Sequence, residues 1–220
     1  MEFNKVGILG SGEVAKTLAS GFIKHGYEVM MGSRNPDKLT EWKTRQGKKA
    51  GTGTFSEAAG FSELLVLAVK GTAAVGAIQS VGVAALAGKT IIDVTNPIAD
   101  APPVNGVIKF FTTLDNSLME QLQAAAPEAH FVKAFNSIGN AFMVNPKFEA
   151  AKPAMFICGN NEESKKAVAA VVSLFGFDVQ DMGKAEAARA IEPLCMLWCI
   201  PGLLRNDWAH AFAFLTPRSK

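Results

Sequence analysis

Val6-Gly-Ile-Leu-Gly10-Ser-Gly12-Glu-Val-Ala15 is the stretch that decides how this chain folds. Val6, Ile8 and Leu9 make a short apolar run rich in β-branched residues, the composition of a strand buried in a parallel sheet. Gly10 and Gly12 follow at once. From Glu13 the apolar spacing becomes helical, with Val14, Leu18, Gly21 and Phe22 on one face. A G-x-G-x-x-A string in the order strand, turn, helix is a dinucleotide-binding fingerprint. Gly10 makes the tight turn, Gly12 lets a pyrophosphate approach the backbone, and Ala15 lets the helix lie close to the sheet. The helix N-terminus offers free N–H groups and a positive dipole end to phosphates. Gly10, Ser11, Gly12, Glu13 and Val14 are therefore candidate cofactor contacts.

The next turn of the chain selects the dinucleotide. Gly26 reads as the glycine just past the first helix, and Tyr27–Met31 as the second strand. A site that selects NAD places Asp or Glu at the end of this strand to hold the ribose 2′-hydroxyl. Gly32-Ser33-Arg34 stands there instead. A carboxylate would repel a 2′-phosphate, whereas a hydroxyl and a guanidinium fork can bond it, so the site reads as one for NADP(H). Asn35-Pro36-Asp37-Lys38 follows as helix N-cap, proline at N1 and an acid in the first turn, and Lys38 adds positive charge to the same place. Lys43, Lys48 and Lys49 read as a solvated helix face.

A length of 220 residues suits one large domain, or one domain with an appendage. With 49% apolar and 19% charged residues the chain can build a core and is not disordered. A net charge of +2 gives no electrostatic reason to expect nucleic acid or a membrane surface as partner. Met1 leads into a strand without a cleavable apolar leader, and Cys158, Cys195 and Cys199 lack disulfide spacing, so a cytoplasmic protein is expected. Cys195 and Cys199, one helical turn apart, read as small apolar core residues. His25, His130 and His210 are scattered and suggest no metal site.

Along the chain, Gly53–Phe55 is a short candidate third strand and Leu64–Val69 a fourth, ending at Lys70-Gly71. Thr90–Val94 is a fifth, running into Thr95-Asn96-Pro97. Both endings lie at the carboxyl edge, where open α/β sheets bind ligands. Thr72 is placed to cap a helix reaching Val81. Ser117-Leu-Met-Glu120 forms a capping box for a helix to about Ala126. Between them, the proline-bearing stretch 98–115 reads as a loop over the site. His130–Ala134 is a sixth strand. Ala154–Cys158 and Phe177–Gln180 are two more, around an amphipathic helix Glu162–Phe175. The alternation specifies an α/β chain, a Rossmann-type, doubly wound, mostly parallel sheet. From Gly183 the pattern is helical only: Ala185–Ile191, Leu194–Ile200 and, after a break at Pro201-Gly202, Leu203–Leu215. The chain thus divides into a nucleotide-binding domain over 1–183 and a helical segment over 184–220. The run Leu194–Leu204 is apolar on every side and too short to span a bilayer, so it is expected to be buried on its own sheet or on a second subunit.

With these pieces placed, the chain resembles the NADPH-dependent deazaflavin (coenzyme F-420) oxidoreductase family, related to the cytosolic domain of the membrane ferric and cupric reductases. The resemblance runs over nearly the whole chain. It rests on Gly7–Gly12, Gly32-Ser-Arg34, Asp93-Val-Thr-Asn-Pro97, Val132-Lys-Ala-Phe-Asn-Ser-Ile-Gly139 and the tail Glu186–Leu194. It implies a nicotinamide over the carboxyl edge, beside Ala68, Val69, Lys70, Asn96, Pro97, Asn136 and Ile138. A deazaflavin (F-420) or flavin ring would lie between that surface and the C-terminal helices, often in a homodimer. Archaeal members carry histidine where this chain has Asn136. Hydride passage between two rings needs close stacking more than a strong base. The candidate edge offers no His, no Tyr and no Ser-His-Asp set, while Lys70 or Lys133 could reach the site. Two other readings stand beside this one. An imine or 3-oxo-acid reductase would need a longer helical substrate domain than the stretch after Gly183 supplies. A non-catalytic NADP(H)-sensing module would need no acceptor at all.

Overall fold

Strand β1 (Lys5–Leu9) lies inside the sheet, and its side chains alternate between two cores. The computed structural model describes residues 3–217. The other strands are β2 (Glu28–Gly32), β3 (Ala50–Gly53), β4 (Leu64–Leu67), β5 (Thr90–Asp93), β6 (His130–Lys133), β7 (Ala154–Gly159) and β8 (Asp178–Asp181). They form one sheet in the order β3-β2-β1-β4-β5-β6-β7-β8. The helices are α1 (Glu13–Lys24), α2 (Thr40–Gln46), α3 (Phe55–Phe61), α4 (Gly71–Val81), α5 (Leu118–Ala125), α6 (Glu162–Leu174) and α7 (Ala188–Arg205). All neighbouring strands are parallel except β6 and β7. A parallel return needs a long crossover, usually a helix. The stretch between β6 and β7 carries only a 3₁₀ turn at Asn140–Phe142, so β7 comes back antiparallel. The expected α/β, mostly parallel, doubly wound sheet is the one observed.

Val6 and Ile8, Leu64 and Val66, and Met155 and Ile157 face α1, α2 and α6, where they pack with Phe22, Trp42, Val168 and Phe175. Leu9, Leu65 and Leu67 face the other way, onto Ala58, Ile78, Leu122 and Ile191 from α3, α4, α5 and α7. Each fully buried side chain of this size contributes about 1.5–3 kcal/mol. The sheet therefore depends on α7, at the far end of the chain, as much as on the crossover helices.

Local chemistry moved several expected boundaries. The third strand ends at Gly53 rather than spanning Gly53–Phe55, because Thr54 and Glu57 form a reciprocal capping box that starts α3 at Phe55. Helix α4 begins at Gly71 with Lys70 as N-cap, so Thr72 lies inside the helix rather than capping it. Asn35 caps nothing through its side chain; Pro36–Leu39 is a 3₁₀ turn, and α2 starts at Thr40. The Ser117–Glu120 capping box is present as expected. The tail differs most. A single helix runs Ala188–Arg205 through both Pro193 and Pro201, and no helix follows it among the described residues. Asn206 takes the left-handed conformation that ends a helix, with φ of 55°. The chain then turns back: Trp208 lies against Gly202, the Trp198 indole N–H donates to the His210 carbonyl at 2.9 Å, and Ala154 N–H donates to the Phe212 carbonyl at 2.8 Å. That return path along β7 is a long-range packing solution, and it outweighs the helical spacing of 203–215.

Candidate nucleotide-binding site

Gly10 adopts φ of 149°, and a Cβ there would stand 2.2 Å from the Ala68 carbonyl oxygen, so no other residue fits the turn. Its N–H donates to the Gly32 carbonyl at 3.1 Å, and Ala68 N–H donates to the Leu9 carbonyl at 2.9 Å. These bonds bring the ends of β1, β2 and β4 together. Gly12 is the N-cap of α1, no side chain caps that helix, and a Cβ on Gly12 would meet nothing within 4 Å. The uncapped amide donors of α1 thus face open space. That space is a cavity of about 610 Å³ lined by Gly10, Ser11, Gly12, Ser33, Arg34, Lys38, Ala68, Val69 and Lys70.

Within it the polar groups are already ordered. The buried Ser33 hydroxyl donates to Ser11 Oγ at 3.3 Å and accepts from Asn35 N–H at 3.1 Å, so it fixes the loop that presents Arg34. Arg34 and Lys38 are exposed and make no ion pair among the described residues. Glu13 is turned aside into a pair with Lys16 at 2.9 Å, which keeps its charge off the helix entrance. Val14 packs on the core instead of lining the cavity. The cavity also takes in Asn35, Phe55 and the small-residue face Ala73, Gly76, Ala77 and Ser80 of α4, which the sequence reading missed. Small residues at helical spacing beside a predicted ligand edge were the available signal.

Asn96, Pro97, Asn136 and Ile138 lie further along the carboxyl edge, outside that cavity. Gly71 brings α4 against the Asn96 carbonyl oxygen, which a Cβ there would approach to 2.0 Å. Phe135 holds a positive φ of 59°, a strained state for a bulky residue, and directs the next side chain toward α7. Asn136 Nδ2 donates to the Ile191 carbonyl at 3.0 Å and to Asn96 Oδ1 at 3.2 Å, while Asn96 Nδ2 donates to the Asn136 carbonyl at 2.8 Å. Asn136 Oδ1 is buried without a partner. The Asn136 amide thus ties the carboxyl edge to α7, and it lines neither of the two cavities. Ile138 is in the core, packed among buried residues, so it offers no ring-supporting face at the surface.

Beneath this edge Lys133 is wholly buried between Asp93 at 2.7 Å and Glu192 at 2.9 Å, and it donates to the Thr95 carbonyl at 2.8 Å. Burial alone would pull its pKa down, but the two carboxylates more than reverse that and hold it above the ordinary lysine value. It is a fixed charge, shut off from any ligand. Lys70 is at the nucleotide cavity and pairs with Asp100 at the root of the strap 98–116. The strap is pinned by Ala99 N–H to the Lys109 carbonyl at 2.8 Å and Phe111 N–H to the Pro97 carbonyl at 2.9 Å. Between strap and α7 lies a second cavity of about 950 Å³, almost wholly apolar, reached by Ile108, Phe110, Leu114, Glu192, Pro193 and Met196. None of its lining residues was a sequence-predicted contact, although Glu192 and Pro193 lie in the tail motif. Burial pushes the Cys158 thiol up to about 12.

Residues 5–97, which carry the glycine turn, Ser33-Arg34 and Asn96-Pro97, match the family described as NADP oxidoreductase, coenzyme F420-dependent. The chain as a whole is 32% identical over 207 residues to the metalloreductase STEAP3 of Rattus norvegicus, covering 92% of this chain and 39% of that protein. It spans about two fifths of the length of the curated relatives it matches. Among solved structures it resembles a candidate F420-dependent NADP reductase from Arthrobacter sp. FB24, with TM-score 0.90, 27% identity and coverage of 98% and 100% of the two chains. An imine reductase from Aspergillus terreus, at 20% identity and TM-score 0.64 over 94% of this chain and 64% of its own, shares the fold.

The cavity fits a phosphorylated dinucleotide of the kind that family description names. The open N-terminus of α1 suits a pyrophosphate, and the unpaired Arg34 and Lys38 suit a 2′-phosphate. A nicotinamide dinucleotide held there would supply hydride chemistry, and the residues named would supply position and charge.

Proposed function

We propose that the chain binds NADP(H) with its phosphates at Gly10–Gly12 and Ser33–Lys38, and passes hydride between the nicotinamide and a planar ring acceptor of the deazaflavin or flavin kind. The observation that carries this reading is one continuous carboxyl edge with a phosphate-ready cavity at one end and an apolar cavity at the other. Lys70 of the first cavity pairs with Asp100, the sequence neighbour of Ala101 in the second. The acceptor would be held by shape and by burial against the apolar wall formed by the strap and α7. No basic side chain need move a proton, since two-electron transfer between stacked rings draws mainly on proximity. In the same reading the chain acts in the cytoplasm as a homodimer, with no nucleic-acid or membrane partner. The exposed Leu197, Leu203 and Leu204 of α7 would form the face covered by the second copy.

Loss of reduced-nicotinamide absorbance, with deazaflavin, FMN, a ferric chelate and a cyclic imine offered in turn, tests this. Turnover with either ring supports the reading. Turnover with the imine alone makes the chain an imine reductase, and tight NADPH binding without any turnover makes it a sensor. Sedimentation at several concentrations tests the dimer, and a monomer throughout would refute it.

A further inference from the structure

Helix α7 is poorly supported by its own backbone. Pro193 and Pro201 lie inside it, and each removes an amide donor and crowds the preceding turn. Its buried side, Ile191, Cys195 and Trp198, is apolar, and so is its uncovered side at Leu197, Leu203 and Leu204. Hydrophobicity alone therefore does not decide how the helix is rotated or how far along the sheet it sits. A polar anchor must do so.

We propose that Glu192 is that anchor, a positioning residue that sets α7 and with it the wall of the apolar cavity. Its carboxylate is 1% exposed. Oε1 accepts from Met119 N–H at 3.0 Å and meets Lys133 Nζ at 2.9 Å, while Oε2 accepts from Leu118 N–H at 3.0 Å. One side chain thereby satisfies the first amides of α5 and the buried charge of β6 together. Two neighbours act in the same sense: Ile191 accepts from Asn136, and Arg189 grips Glu120 through Nε at 3.0 Å and Nη2 at 2.6 Å. Glu192, Pro193 and Met196 line the cavity opposite the strap, so the register that Glu192 imposes is the cavity's shape. None of these anchors lines the nucleotide cavity. A glutamine at 192 would present one acceptor and two donors where three donors converge, leaving donors face to face. An aspartate would keep the charge on a side chain one methylene shorter.

The kinetic arm of the test rests on the oxidoreductase reading; the binding and exchange arms do not. Glu192→Gln and Glu192→Asp are made in the full chain, and three quantities are read. The first two are the NADPH dissociation constant and hydrogen exchange in 188–205 and 98–116. The third is kcat and KM for FMN or deazaflavin. For Glu192→Gln the NADPH constant stays within about threefold, exchange in both segments rises by about tenfold or more, and acceptor KM rises about fivefold or more with kcat changing less. Glu192→Asp recovers at least half of each change. If Glu192→Gln does not fold, the same split between the two cavities is sought in Glu192→Asp against wild type. Unchanged exchange in 188–205, or equal loss of NADPH and acceptor affinity, overturns the proposal. Absence of turnover in the wild type would instead refute the oxidoreductase reading, and exchange with NADPH binding would still decide the role of Glu192.

Discussion

Arg34 and Ser33 divide one task between them. Arg34 is the exposed, unpaired charge, whereas Ser33 is buried and spends its hydroxyl on Ser11 and Asn35. A charge-assisted fork to phosphate contributes about 1.5–3 kcal/mol, so Arg34→Ala should weaken NADPH by roughly 10- to 150-fold and leave NADH almost unaffected. Fluorescence titration with both nucleotides measures this, and equal wild-type affinity for the two would refute NADP selectivity. Ser33→Ala should act through the loop, loosening both nucleotides by a similar factor. At Gly71 the constraint is steric, because a Cβ there meets a backbone carbonyl and cannot be relieved by a side-chain rotation. Gly71→Ala should destabilise the fold by about 1–3 kcal/mol, as overpacking does, and displace Asn96; chemical denaturation gives the first quantity directly.

Among the elements, α7 carries the most unusual combination of cost and contact. By length and composition Ala185–Arg205 would suffice to cross a membrane. Here it is bound to the sheet and to α5 through Glu192 and Arg189. Gly139 admits the Trp198 indole so closely that a Cβ would stand 2.7 Å from the ring. Gly139→Ala should therefore push Trp198 outward and disturb its bond to His210. A red-shifted tryptophan emission would register that displacement, and an unchanged spectrum would contradict the packing described. Helix α5 is the partner element, capped from its own sequence by Ser117 and Glu120 and from a distance by Glu192.

At the scale of the molecule, two cores share one sheet, and the Arg189–Glu120 pair links the tail to the body. The Arg189 guanidinium beside Glu120 lowers that carboxyl from its ordinary value of 4.5 to about 2. A depressed carboxylate contributes stability that is fully present above pH 4.5 and is lost as pH falls toward 2. Because the pair is partly solvated, its worth is about 1 kcal/mol. Glu120→Gln should lower stability at neutral pH by about that much and flatten the acid limb between pH 4.5 and 2. Thermal melts across that range measure it, and an unaltered acid limb would count against the pair.

What the sequence by itself determined was everything governed by local periodicity and local sterics. The strand–turn–helix at Val6–Ala15, the replacement of an acid by Ser33-Arg34 and the capping box at Ser117 are each settled within a few residues. They sufficed for the α/β class and for bringing Gly10–Gly12 and Ser33–Arg34 to one cavity. Only the tertiary structure decided how β7 is oriented, that α7 runs unbroken through two prolines, and that 206–217 folds back instead of continuing as helix. It also turned Ile138 into core, tied Asn136 to the Ile191 carbonyl, and brought Glu192 to Lys133 across the chain. The physical reason is range. A cap or a glycine turn is stabilised by neighbours in sequence, whereas a buried carboxylate is tolerated only where distant donors converge on it, and no local pattern reveals that convergence.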